Sequence, residues 1–228
     1  MSILPVEISI EHYMGLGGLR KKQLQEIKAK FLVGRAVGLS LGGVDEPDPL
    51  YLRELKNFVK EHEIKSLHVA LGFCIHQGIY LGRSFALPHS PQTRRLIVSR
   101  VLGLKEYLEC PIALENLSHQ GLGLSQFTDS LDFLNEVSEQ CQTSLLLNLK
   151  NLRQTLLEYG QSLNLTDLEK LPLHGVVIDN IADYRELNES LKQVPVLLRG
   201  QGFERDFIEK EALRFLALNE ETYLEPQS

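Results

Sequence analysis

Long apolar runs are missing from this 228-residue chain. No stretch approaches the roughly 20 apolar residues that span a bilayer, so a membrane partner is not expected. Long basic runs are missing too, and the net charge is −6. Nothing draws the chain to phosphate backbones, which argues against nucleic acid as a partner. The N-terminal segment MSILPVEISIEHY lacks a basic stretch and meets Glu7 early, so a secretion signal is not expected. Cysteine is scarce: Cys74, Cys110 and Cys141 lie far apart with no CxxC pair. An odd, scattered set argues against a disulfide framework or a zinc knuckle and points to reduced thiols in the cytoplasm. There is no Walker motif. HYMGLGGLRKK has neither the G-x-G-x-x-G spacing nor the following ribose-binding acid of a dinucleotide fold.

What is present is an ordinary globular composition, 43% hydrophobic and 24% charged, of a length that suits a single α/β domain over residues 1–228. Short runs rich in Val, Ile and Leu predict strands at 6–11, 36–41, 66–71, 112–116, 144–149, 175–180 and 195–199. Amphipathic segments at 19–31, 48–62, 90–109, 124–141 and 203–219 predict helices between and after them. Asp48-Pro49 and Ser90-Pro91 are N-cap signals, with Pro at the first helical position. This β-then-α alternation fits a doubly wound sheet or a (β/α) barrel. Polar residues decide for the barrel. Glu11, Glu115, Asn148, Asp179 and Arg199 stand at the C-terminal ends of different strands, which converge on one mouth in a TIM-type barrel.

Five segments carry a family likeness: EISIEHYMG (7–15), AVGLSLGG (36–43), IYLGRSFALPHS (79–90), CPIALEN (110–116) and SLLLNLKN (144–151). In order and separation they resemble the multinuclear non-haem iron-dependent oxidases, the group that includes the methanobactin-biosynthesis oxidase. That resemblance implies a xylose-isomerase-like barrel holding several irons on His, Asp and Glu at strand ends. It also implies action on cysteines or other residues of ribosomally made peptides, often with a small partner protein. The family has one more strand ahead of its EISIEHYMG equivalent, so a truncated barrel of about seven strands is expected here. Its two exposed edges invite self-association, or cover by the C-terminal tail or another subunit.

Set against the family pattern, most ligand positions have changed. Arg35 stands where the family has His, Val69 and Ala70 fall on its acid-His pair, and Val177 falls on another His. Asn148 replaces an Asp, Lys150 an Asn, and Arg199 the acid of the final strand. Glu115 is retained, as is Glu11, read as an outer acid. Arginine cannot ligate, because its guanidinium stays protonated, and it repels a cation besides. No cofactor is therefore expected, with iron as the alternative. A two-residue slip would place His68 at the family His position, and His68, Glu115, Asn148 and His12 form a weak candidate metal set.

The same substitutions suggest an anion- or ligand-binding mouth built from Arg35, Lys150, Arg199 and Glu11, with Glu115 among them, or an internal salt-bridge network that fills a dead site. Cys74-x-His76 is a two-ligand signal without partners, and Cys74 has no assignable base. His62 is expected in solvent at a helix end, and His76, His89, His119 and His174 in loops. The leading expectation is a divergent, non-catalytic relative that binds or scaffolds a peptide or partner protein. The alternatives are a metal-free or single-metal enzyme with Glu115 as general base, and a retained peptide-modifying iron oxidase.

Overall fold

The computed structural model describes residues 6–15, 17–118 and 130–199. Among these residues, nine short strands form in chain order: β1 (Val6–Ser9), β2 (Leu32–Arg35), β3 (Leu67–Ala70), β4 (Gly72–His76), β5 (Ile79–Ala86), β6 (Ile112–Glu115), β7 (Ser144–Asn148), β8 (Leu173–Ile178) and β9 (Val196–Leu198). Seven of them make one sheet in the order β1-β2-β3-β6-β7-β8-β9, and every pairing in it is parallel. Helices α1 (Leu19–Glu26), α2 (Pro49–Glu61), α3 (Pro91–Leu108), α4 (Ser130–Cys141), α5 (Leu149–Glu158), α6 (Leu165–Leu168) and α7 (Ile181–Glu186) lie between the strands. Among the described residues the fold is a (β/α) barrel whose sheet is not closed. Among the described residues, β1 pairs only with β2 and β9 only with β8.

Side chains alternate across each strand, so the sheet has two faces. On the outer face Ile8, Leu67, Leu114, Leu147 and Val176 pack with helix residues such as Leu55, Ile97 and Leu152 in one large core. On the inner face Ala113, Leu146 and Val177, with Leu197, form a small separate cluster that fills the lower lumen. The lumen is thus a packed core and not a pore. The next inward residues along β6, β7 and beyond β9 are Glu115, Asn148 and Arg199, the polar layer of the mouth.

Both N-cap signals operate as read. The Asp48 side chain accepts a hydrogen bond from Leu50 N at 2.9 Å, and Ser90 Oγ accepts one from Thr93 N at 3.1 Å. Other expectations need correction. The second strand is Leu32–Arg35, upstream of 36–41. Ala36, Leu39 and Leu41 are buried, but the chain turns there with Ser40 at φ 45, so the apolar run is a buried loop. The first helix stops at Glu26, short of the expected Phe31, with Ile27 already extended at its C-cap and Leu24 its buried residue. Strand β1 ends at Ser9, and Glu11 sits in a 3-10 turn, Ile10–His12. The hairpin β4–β5 was not foreseen. Its two-residue turn uses Gln77 and Gly78, both at positive φ, as a tight hairpin requires. No helix among the described residues is long and apolar enough to cross a membrane. The expected helix at 203–219, the start of the one at 124–141, and His119 lie outside the described residues.

Candidate functional site

The strand ends build one connected network of charge. Glu7 comes from β1, Arg35 from the end of β2, His68 from β3, Glu115 from the end of β6, Asn148 from the end of β7, and Arg199 from just beyond β9. Register brings them together: Arg35 pairs with His68 across β2 and β3, and Ala70 with Glu115 across β3 and β6. Arg199 forks onto Glu7, with Nε 2.8 Å from Oε2 and Nη2 2.7 Å from Oε1. Its Nη1 donates to Glu115 Oε1. Arg35 Nε lies 3.5 Å from Glu115 Oε2. His68 Nδ1 is 2.6 Å from Glu7 Oε1.

Asn148 holds its place through a fixed orientation. Its side-chain oxygen accepts from Asn151 N at 3.1 Å and so caps α5, which turns Nδ2 toward Glu115 Oε1 at 3.2 Å. Asn116 clamps the Asn148 backbone from both sides, accepting from its N at 2.7 Å and donating to its carbonyl at 3.1 Å. An asparagine at a position where the resemblance implies an acidic ligand therefore serves as a helix cap and a hydrogen-bond donor.

Electrostatics follow from this packing. Burial pushes the Glu7 carboxyl up, but the hydrogen bonds from His68 and Arg199 and the charge of Arg199 outweigh it and hold Glu7 at about 2. Burial disfavours charge on Arg199, yet the bond to Glu7 and the charge of Glu115 raise its affinity for the proton above the ordinary value. His174, edge-on to His68 with ring centroids 5.5 Å apart, is pushed down to about 3 by burial and by His68. Glu115 is 1% exposed, and its Oε1 is occupied by Arg199 and Asn148.

The other candidates sit elsewhere. Lys150 pairs with Asp179 at 3.2 Å and does not join Glu115. Glu11 accepts from Gly38 N at 2.6 Å and Tyr51 Oη at 2.7 Å. His12 is exposed and shares no hydrogen bond or ion pair with the network among the described residues. Cys74 is buried with Sγ 3.2 Å from the Val37 carbonyl, and burial pushes its thiol up, contrary to what a nucleophile needs. His76 is not in a loop but ends β4, where it is exposed while Cys74 is buried. His62 is largely covered, its ring 4.4 Å from that of Phe58, and not free in solvent. His174 is in β8 and not in a loop, whereas His89 does lie in the loop after β5, stacked on Phe133. Sequence reasoning missed Glu7, His174 and Asn116 as parts of this site. For Glu7 there was a signal: an acid inside a strand, two residues before Ser9 on the same face.

A family model for the RiPP precursor modification enzymes MbnB/TglH/ChrH matches residues 3–192. The chain belongs to this family. A UPF0276 protein of Pseudomonas aeruginosa is 27% identical over 188 residues, which cover 82% of this chain and 65% of the relative. One from Shewanella amazonensis is 32% identical over 149 residues, covering 64% of this chain and 52% of the relative. The chain thus spans less than two thirds of the length of these relatives. Among solved structures, a D-psicose 3-epimerase matches with a TM-score of 0.57 and 10% identity, covering 94% of this chain and 87% of that one. The D-psicose 3-epimerase of Clostridium cellulolyticum H10 matches with a TM-score of 0.55 and 12% identity, covering 97% and 89%. These likenesses place the fold among xylose-isomerase-like barrels.

The residues present do not fit the multi-iron centre that the MbnB/TglH/ChrH resemblance implies. Both carboxylates of the mouth, Glu7 and Glu115, face the guanidinium of Arg199. His68 spends Nδ1 on Glu7, and Val69 and Val177 are buried apolar residues. Among the described residues, no three His, Cys, Asp or Glu side chains gather where they could ligate one ion.

Proposed function

We propose that this member of the MbnB/TglH/ChrH family is non-catalytic and serves as a binding or scaffold protein for a peptide or a partner protein. One observation carries the reading: Arg199 reaches across the mouth and bonds Glu7 and Glu115 at once. A divalent cation placed there would have to displace that guanidinium and face Arg35 as well. Two unit charges 4 Å apart already interact by about 4 kcal/mol at an effective dielectric of 20, and a divalent ion doubles this. The barrel persists while the mouth is neutralised from within, as suits a protein kept for its surface. The buried thiols of Cys74, Cys110 and Cys141 are in keeping with a reducing, cytoplasmic setting.

Metal content tests this. After expression in iron-supplemented medium, mass spectrometry of the pure protein should find far less than one metal per chain. Two or more irons per chain would overturn the reading and restore a peptide-modifying oxidase.

A second reading rests on a separate observation. Among the described residues, His68 Nε2 and Glu115 Oε2 are buried without a hydrogen-bond partner, though Arg35 lies 3.5 Å from the latter. Both are metal-donor atoms, so a single-metal enzyme is the competing proposal. Its mark would be one metal per chain that disappears in His68→Ala.

A further inference from the structure

Away from the Arg199 network, a cavity of about 510 Å³ opens between the turn after β1, the loop after β2 and the β4–β5 hairpin. Its size is that of a small-ligand pocket. Glu11 lies in its wall. One oxygen, Oε1, is committed to Gly38 N and Tyr51 Oη, while the other, Oε2, is buried and has no hydrogen-bond partner among the described residues. A buried carboxylate oxygen left in that state costs free energy unless something donates to it.

The charge on the cavity's described lining has one sign, while Arg100 behind it lies 3.8 Å from Glu46 and donates to the Asp45 carbonyl at 2.9 Å. Asp45, Glu46 and Asp48 line the same cavity, and none of its lining residues is Lys, Arg or His. These acids are spread along the rim and do not converge with Glu11 on a point where a metal ion could sit. Tyr51, Tyr80 and Ile75 supply apolar wall between them. Such a cavity suits an organic cation with an apolar stem, and tyrosine faces add attraction for that cation.

The rim extends this chemistry outward. Ile79 and Tyr80, at the turn of the hairpin, are 66% and 60% exposed, and Val44 beside Asp45 is 75% exposed. Strands β4 and β5 pair only with each other among the described residues. Large exposed apolar side chains beside an acidic cavity are what a peptide with a basic residue among apolar ones would cover.

We propose that this cavity binds the lysine or arginine side chain of a peptide, with its cationic head on Glu11 Oε2 and the flanking apolar residues on the β4–β5 hairpin. The proposal rests on the binding role proposed above and supplies its ligand class. The probe is a fluorescein-labelled Ala-Leu-Arg-Leu-Val peptide, titrated by fluorescence anisotropy against the full chain, beside a copy with citrulline in place of arginine. Saturable binding of the arginine peptide is expected, at least tenfold weaker for citrulline and at least tenfold weaker in Glu11→Gln. The Gln carbonyl can still accept from Gly38 and Tyr51, so the fold should survive that change. Tyr80→Ala, at an exposed site, should leave the melting temperature unchanged and weaken binding several-fold. Equal affinity for the two peptides, or free arginine amide binding as tightly as the peptide, would overturn the proposal. So would the absence of binding at millimolar peptide. Metal analysis of the same preparation separates the two ideas: a metal-free protein that ignores the arginine peptide sinks this inference alone, whereas stoichiometric iron sinks the non-catalytic reading.

Discussion

Glu115 is the residue on which the mouth turns. It is enclosed, and its partners arrive from three other strand ends: Arg35, Asn148 and Arg199. Removing one member of a buried ion pair strands the other, which costs more than the pair itself contributes. Glu115→Ala should therefore lower stability by about 3 kcal/mol in urea unfolding. A change below about 1 kcal/mol would mean that the network is held together by something other than charge. Titration offers a second check at this scale. Glu7 binds its proton at about 2 in the folded protein against 4.5 ordinarily, and His174 at about 3 against 6.5. Both groups are depressed, so the unfolded chain takes up each proton first and stability falls with pH. The His174 contribution is full above pH 6.5 and lost toward 3, while that of Glu7 is full above 4.5 and lost toward 2. The urea midpoint should thus begin to drop below pH 6.5, and His174→Gln should flatten the segment from 6.5 to 4.5. An unchanged slope in that variant would assign the effect elsewhere. At this scale Glu115 was legible, since an acid ending a buried run is conspicuous. The pairing of Glu7 was not, because its partner Arg199 is 192 residues away in sequence.

At the scale of elements, local signals worked where a side chain acts on its own backbone. Ser90 caps α3 as its Ser-Pro signature implies, and Ser90→Ala should cost about 1 kcal/mol in thermal unfolding. The loop after β2 was misread as a strand because its apolar residues are buried as a strand's would be. What distinguishes it is Glu11, whose carboxylate ties down Gly38 N from a separate turn. The β4–β5 hairpin depends on one close approach. A Cβ on Gly72 would overlap the Phe85 carbonyl oxygen, a backbone atom that cannot step aside. Gly72→Ala should destabilise by about 2 kcal/mol or more and raise hydrogen exchange in the hairpin. A neutral Gly72→Ala would show that the two strands can shift apart without loss.

For the whole molecule, the open question is the seam between the first and last strands of the sheet. Arg199 and Glu7 link these two edges by side chains, although the described residues show no backbone pairing between β1 and β9. Unpaired strand edges are templates for another strand. We expect self-association there, with light scattering giving a mass above the 25.8 kDa of one chain. A clean monomer whose β1 and β9 amides exchange slowly would contradict this.

The sequence by itself determined the class of architecture, because hydrophobic period, helix caps and polar strand ends are local patterns that survive without coordinates. Set against the family resemblance, it also marked Arg35, Asn148 and Arg199 as changed and Glu115 as kept, and a guanidinium cannot ligate. Only the tertiary structure decided which charges meet. Lys150 turns to Asp179, Glu11 to its own cavity, and Arg199 to Glu7 and Glu115. Those choices depend on strand register and on which edge closes against which, and both are set by packing across the barrel and not by neighbours in the chain.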